Sequence, residues 1–180
     1  MARRERGTTG REIASLLLRG VVGGTMIAHG VKHARTLDGT AGWFGAIGFR
    51  RPRLQAQASA AVEVGSGALL VAGAGTPVAA AAVVGTMGVA ARSVHAPNGF
   101  FITDQGWEYV ANLATAAVAL AGIGPGRFSV DRATGLDGRI SGAKAAALAA
   151  GLGIAAAAAQ LALFWTPPKP EAEETDSPIG

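Results

Sequence analysis

Seven ionisable residues lie within or at the ends of long apolar runs, and they are the ones whose types could do chemistry: Arg19, His29, Glu63, Arg92, His95, Asp104 and Glu108. An Arg, Lys or Asp in the middle of a membrane span costs roughly 2.5 to 3.5 kcal/mol, so each such group needs a partner or a task. Glu63 with Arg92 forms a buried ion pair that fixes helix register, or else a proton donor beside an anchor for a polar head group. His29 and His33 are one helical turn apart, and His95 follows Arg92 by three residues on the same helical face. A histidine at such a place hydrogen-bonds at the membrane interface or, paired with one from another span, ligates a haem. Nothing in the spacing demands haem, and no compact ligand motif calls for a metal. Lys32, Arg35 and the cluster Arg50, Arg51 and Arg53 read as head-group anchors.

The elements that must position these residues are helices in lipid. Of 180 residues, 49% are hydrophobic and 16% charged, with a mean hydropathy of +0.32. The apolar residues fall into runs near the 20 or so that a helix needs to cross a hydrocarbon layer about 30 Å thick. The first run extends from Ile13 to about Val31, too long and too interrupted by Arg19 for a cleaved signal peptide. The segment containing Trp43, Phe44 and Ile47 reads as a short interfacial helix. Further spans are expected from Gln55 to Gly73, Pro77 to Val94, Trp107 to Ile123 and Ala145 to Trp165. The turn after Gly73, rich in Gly with Pro77 close behind, makes the second and third spans antiparallel.

The fold class is therefore all-α, a transmembrane four-helix bundle with an additional C-terminal transmembrane helix. The expected organisation is a basic tail over 1–14, the four-helix membrane domain over 15–131, a polar connector over 132–144, a fifth span over 145–165 and a disordered acidic tail over 166–180. Gly20 and Gly24, then Gly24 and Ala28, recur at four-residue spacing, with more small residues at Gly65, Gly67, Gly85 and Gly88. Such rows let helices approach closely in lipid, here within the bundle rather than in a dimer. Gly122, Gly124 and Gly126 lack the preceding strand and the Lys-Ser/Thr pair of a phosphate loop.

Alternating spans run up and down, which places His29, Glu63 and Arg92 on one side of the bundle. Glu63 then lies roughly 10 to 13 Å below that face at about 1.5 Å per residue. The segment around Trp43 and the loop from Asn98 to Glu108 cap the same half. The net charge is +4, but its Arg and Lys sit at span ends, which argues against nucleic acid. With no Cys the chain holds no disulfide, iron–sulfur cluster or persulfide.

Several of these residues also resemble a family pattern. His29-Gly30 with Lys32, Gly42-Trp43-Phe44, and Glu63 followed by Gly65, Gly67, Leu70 and Gly73 resemble the DoxX family of bacterial membrane proteins. So do His95, Asn98-Gly99-Phe100-Phe101, Gly106-Trp107-Glu108-Tyr109, Gly124-Pro125-Gly126-Arg127, Ser129 and Asp131. The resemblance implies a four-helix membrane domain similar to small subunits of quinone-linked oxidoreductases, including archaeal thiosulfate:quinone oxidoreductase. Actinobacterial members, the type it resembles, are associated with membrane oxidoreductase complexes.

The resulting expectation is a multi-pass protein of the bacterial plasma membrane with a cytoplasmic N-terminus, although Lys and Arg are nearly balanced between the two sides. It serves as a membrane subunit of a quinone-linked oxidoreductase system, partnered by other membrane or extracytoplasmic redox subunits or by further copies of itself. A quinone head group would sit among His29, Trp43, Glu63, Arg92, His95, Trp107 and Glu108. Glu63 and His95 would handle protons, and Arg92 would stabilise negative charge. The alternative is a non-catalytic assembly protein whose polar residues only hold the helices in register.

Overall fold

A computed structural model describes residues 2–168, with side chains from Thr9 onward. The acidic tail expected over 166–180 lies, from residue 169, outside the described residues. Five long helices, α1 (Ala2–Arg35), α3 (Pro52–Ala72), α4 (Thr76–Ala90), α5 (Glu108–Ile123) and α7 (Gly142–Phe164), are joined by the short α2 (Leu37–Ala46) and α6 (Val130–Ala133). The basic segment expected as a tail is helical from Ala2, continuous with the first apolar run.

Among the described residues, three segments are long and apolar enough to cross a membrane: Thr9–Arg35, Thr76–Asn98 and Gly142–Phe164. This is a membrane protein. Helix α3 has comparable length at 21 residues but is more polar, and α5 is an apolar helix of 16. The polarity of α3 is turned inward, since Gln55, Glu63 and Ser66 are all buried. A helix can lie in an apolar setting when neighbouring helices satisfy its polar atoms.

Packing follows the small residues. Helix α1 lies along α3 through Gly23 and Gly30, where a Cβ on Gly67 would sit 2.6 Å from the carbonyl oxygen of Gly23. Helix α7 lies along α4 in the same way, with Gly153 so close that its Cβ would fall 2.7 Å from the Ala81 carbonyl oxygen. Gly20, Gly24 and Gly65 take no part in this, for nothing lies within 4 Å of a Cβ built on them. On α1 the contact falls at Gly23 rather than Gly24, while Gly67, Gly85 and Gly88 of the rows read in the sequence do lie against neighbouring helices. Met26, Leu70, Val83 and Leu120 fill the centre, and the C-terminal helix α7 packs against both α4 and α5.

One end of the bundle is tied by polar side chains. Arg19 is 6% exposed and donates to four carbonyls: Leu70 (3.1 Å), Val71 (2.6 Å), Pro125 (2.9 Å) and Phe128 (2.7 Å). It joins α1 to the end of α3 and to the Gly-Pro-Gly turn after α5. The first N–H groups of α4 have no side-chain cap of their own, because Gly75 precedes the helix. Asp131, buried, supplies that cap from a distance, accepting from Gly75 N (2.7 Å), Thr76 N (3.0 Å) and Thr76 Oγ1 (2.8 Å). A carboxylate there both satisfies the orphan donors and complements the positive end of the helix dipole.

The other end is closed by α2 and by the chain after α7. Phe49 and Trp165 form an antiparallel bridge, flanked by Arg50 N to Phe164 O (2.8 Å) and Thr166 N to Gly48 O (3.0 Å). Trp165 Nε1 donates to Ile47 O at 2.8 Å, so the end of α7 holds the end of α2.

Candidate functional site

Beneath α2 a cavity of about 590 Å³ opens between α1, α3, α4 and α5. Its walls are mostly apolar, with Met26, Phe44, Val62 and Leu113 among them, and its polar groups come from every wall: His29 and His33, Ser59 and Glu63, Ser93 and His95, Tyr109. An apolar pocket with a few convergent polar groups is the usual form of a small-molecule site.

Glu63 is its most constrained group. The residue is 3% exposed, and its Oε1 accepts a short hydrogen bond from Ser59 Oγ one turn earlier on α3. His33 Nδ1 stands 3.3 Å from the same oxygen and 3.2 Å from Ser59 Oγ, reaching across from α1. The other oxygen, Oε2, is buried with no hydrogen-bond partner. An unsatisfied buried acceptor costs about 1 to 3 kcal/mol, more when charged, and is rare enough to need an explanation.

The other cavity residues are held in place. His29 stacks on Tyr109 with ring centroids 6.2 Å apart. His95 Nδ1 lies 2.6 Å from the Gln105 carbonyl, which leaves its other ring nitrogen uncommitted. Ser93 and His95 stand on a π-helical turn, Ala91–His95, that ends α4; such insertions recur at functional sites. Trp43 packs edge-on against Phe44 and lines the cavity while remaining exposed. Gln160 of α7 reaches the cavity too, donating to Gln55 of α3 at 3.0 Å.

The structure thus brings His29, Trp43, Glu63 and His95 together and leaves three expected members elsewhere. Arg92 is not paired with Glu63. Thr86, Val89, Ala90 and Ser93 define the cavity face of α4. Arg92 is one residue, about 100°, away from Ser93, so it points to the far side. There its guanidinium lies over Trp165, 4.8 Å from the ring centroid. Trp107 packs on Phe100 at 4.8 Å, and the Glu108 carboxylate accepts from Ile102 N at 3.1 Å. Both brace the loop beside the cavity rather than lining it. Asp104 belongs to the same loop, and Arg19 serves the opposite end.

His33, Ser59, Ser93, Tyr109 and Gln160 are among the polar cavity residues not expected in the site from the sequence. His33 and Glu63 could be linked only once the crossing of α1 on α3 was known. A signal existed in Ser59, which sits four residues before Glu63 and so on the same helical face.

Residues 14–96 match the DoxX family model. Over that stretch the chain is similar to DoxX domains. That stretch supplies α1 to α4 and with them His29, His33, Trp43, Ser59, Glu63 and His95. The remaining walls, Tyr109 on α5 and Gln160 on α7, come from beyond it. The motifs from Asn98 to Asp131 also lie past the matched residues. No curated protein and no solved structure matches the chain. Among the described residues, no three His, Asp or Glu gather as metal ligands.

Proposed function

We propose that this DoxX-domain protein is a multi-pass subunit of a quinone-linked oxidoreductase system of the bacterial plasma membrane, with the quinone head group in the cavity beneath α2. The observation that carries the reading is Glu63 Oε2, a buried oxygen without a hydrogen-bond partner on a residue that lines a largely apolar cavity of about 590 Å³. A quinol hydroxyl would satisfy that oxygen directly. A quinone carbonyl would accept from it once Glu63 carries a proton. Interconversion moves two electrons and two protons. The electrons pass to or from a partner subunit, and the residues here deal with the protons. Glu63 holds one at the head group, and His33, with its side chain 22% exposed, links Glu63 to the surface. His29, His95 and Tyr109 provide donors for the second ring oxygen. Arg92, once expected to stabilise negative charge there, has no part in this reading.

Protein purified in mild detergent should retain quinone in a lipid extract, and quenching of tryptophan fluorescence by added quinol should saturate. Glu63→Leu, which fills the same space without polar atoms, should weaken quinol binding by about tenfold or more, the scale of one charge-assisted hydrogen bond, while helicity is kept. Equal binding by wild type and Glu63→Leu would sink the proposal. It would favour the assembly reading, in which the exposed aromatics Trp43, Phe100 and Phe101 at this end dock a partner.

A further inference from the structure

On the far side of α4 from the cavity, a second hollow of about 580 Å³ runs between α4, α5 and α7. Its walls are Val84, Gly88, Ala91, Ala114, Val118 and Ile154, a furrow left open because several of these side chains are small or absent. It extends along α5 from Trp107 to Val118, about three helical turns. The one charged side chain among its lining residues, Arg92, stands with Trp107 toward the end where α7 finishes at Trp165. Tryptophans at such a place mark the level of the head groups.

Arg92 is exposed and forms no salt bridge among the described residues, and its contact is with the face of Trp165. Stacking on a ring occupies the flat face of a guanidinium and leaves its N–H edge free. That edge suits the two oxygens of a phosphate. A fixed cation at the mouth of an apolar furrow complements a molecule with a hydrocarbon chain and an anionic head.

We propose that this groove binds one anionic phospholipid, with an acyl chain laid along α5 between α4 and α7 and the phosphate on Arg92. The site uses a charged residue, Arg92, and a face of α4 that the quinone reading does not, and it stands or falls separately. Helix α7 then has a second task, because Ala150 and Ile154 form one wall of the groove. The bound lipid would seal a seam between α5 and α7 that small residues leave open.

The test is delipidated full-length protein placed in nanodiscs of equal parts phosphatidylglycerol and phosphatidylcholine, then extracted and weighed by native mass spectrometry. Wild type should keep about one phosphatidylglycerol per chain in preference to phosphatidylcholine. Arg92→Gln should lose about fivefold of that preference, the contribution of one basic residue at a lipid surface, and Arg92→Lys should keep part of it. Ala114→Phe, filling the furrow, should retain neither lipid. Equal retention of the two lipids by wild type would overturn the proposal without any variant being needed. So would an unchanged preference in Arg92→Gln, or a protein dimer, free of lipid, that Ala114→Phe dissociates. Quinol binding should be unaffected by Arg92→Gln, which keeps the two sites distinguishable.

Discussion

Among the buried polar and charged side chains, Glu63 and Arg19 are partnered in opposite ways. Glu63 has one oxygen without a hydrogen bond, the group on which the proposed quinone site rests. Every guanidinium nitrogen of Arg19 donates, to four carbonyls in all, which is what a structural group does. Both were visible in the sequence as ionisable residues in apolar runs, and neither role was. An isolated Arg in a span has to be partnered, but its partners here are backbone carbonyls more than fifty residues away, which no side-chain pattern announces. Arg19→Met should lower stability by about 3 kcal/mol. Each hydrogen bond to a charged group contributes about 1.5 to 3 kcal/mol, the four are not additive, and the apolar replacement recovers the cost of burying the cation. A fall in the thermal midpoint in detergent would read this, with Arg35→Gln, exposed at the end of α1, as the variant that should leave it unchanged.

At the level of the helices, the apolar runs located α3, α4, α5 and α7 to within a few residues, whereas α1 begins at Ala2 rather than Ile13. The span expected from Gln55 to Gly73 is α3, Pro52–Ala72, and that from Ala145 to Trp165 is α7, Gly142–Phe164. The segment around Trp43 is the short α2, with Phe44 turned inward. Which small residues serve as contacts was not legible in the same way. Gly20, Gly23 and Gly24 are alike in composition, yet only Gly23 meets α3. A helix turns about 100° per residue, so one position decides the face. Gly67→Val should therefore wedge α1 from α3 and cost about 1 to 3 kcal/mol, while Gly20→Ala, in open space, should be neutral or slightly stabilising through helix propensity. Chemical or thermal denaturation of both variants in one detergent tests the pair. A milder effect from Gly67→Val than from Gly20→Ala would mean that the helices cross elsewhere.

For the molecule as a whole, the two ends differ in kind. The end carrying Arg19 and Asp131 is laced by hydrogen bonds, and the end under α2 holds the cavity and is closed by the Phe49–Trp165 bridge. If all five long helices cross the bilayer, as proposed, the loop at Thr103 and the connector at Arg139 face opposite compartments. The absence of native Cys gives this a clean measurement. Thr103→Cys and Arg139→Cys should be labelled by an impermeant maleimide from opposite sides, Arg139→Cys from the cytoplasm if the N-terminus is cytoplasmic. Labelling of both from one side would require a different number of crossings between them.

The sequence by itself determined the solvent, the helices and their order, because hydrophobicity and run length are local properties that any window of the chain expresses. It also placed His29, Glu63 and His95 in one half of the bundle, since alternating spans leave few choices of depth. The tertiary structure decided everything that depends on helix rotation and crossing. It paired Glu63 with His33 instead of Arg92, moved Arg92 to a groove on the other face of α4, and drew α7 in as a wall of both hollows. Rotation about a helix axis changes a side chain's neighbours completely while leaving hydropathy unchanged. The carboxylate that began as one member of an expected ion pair thus became part of a cavity wall, with one oxygen bonded to Ser59 and the other unpartnered.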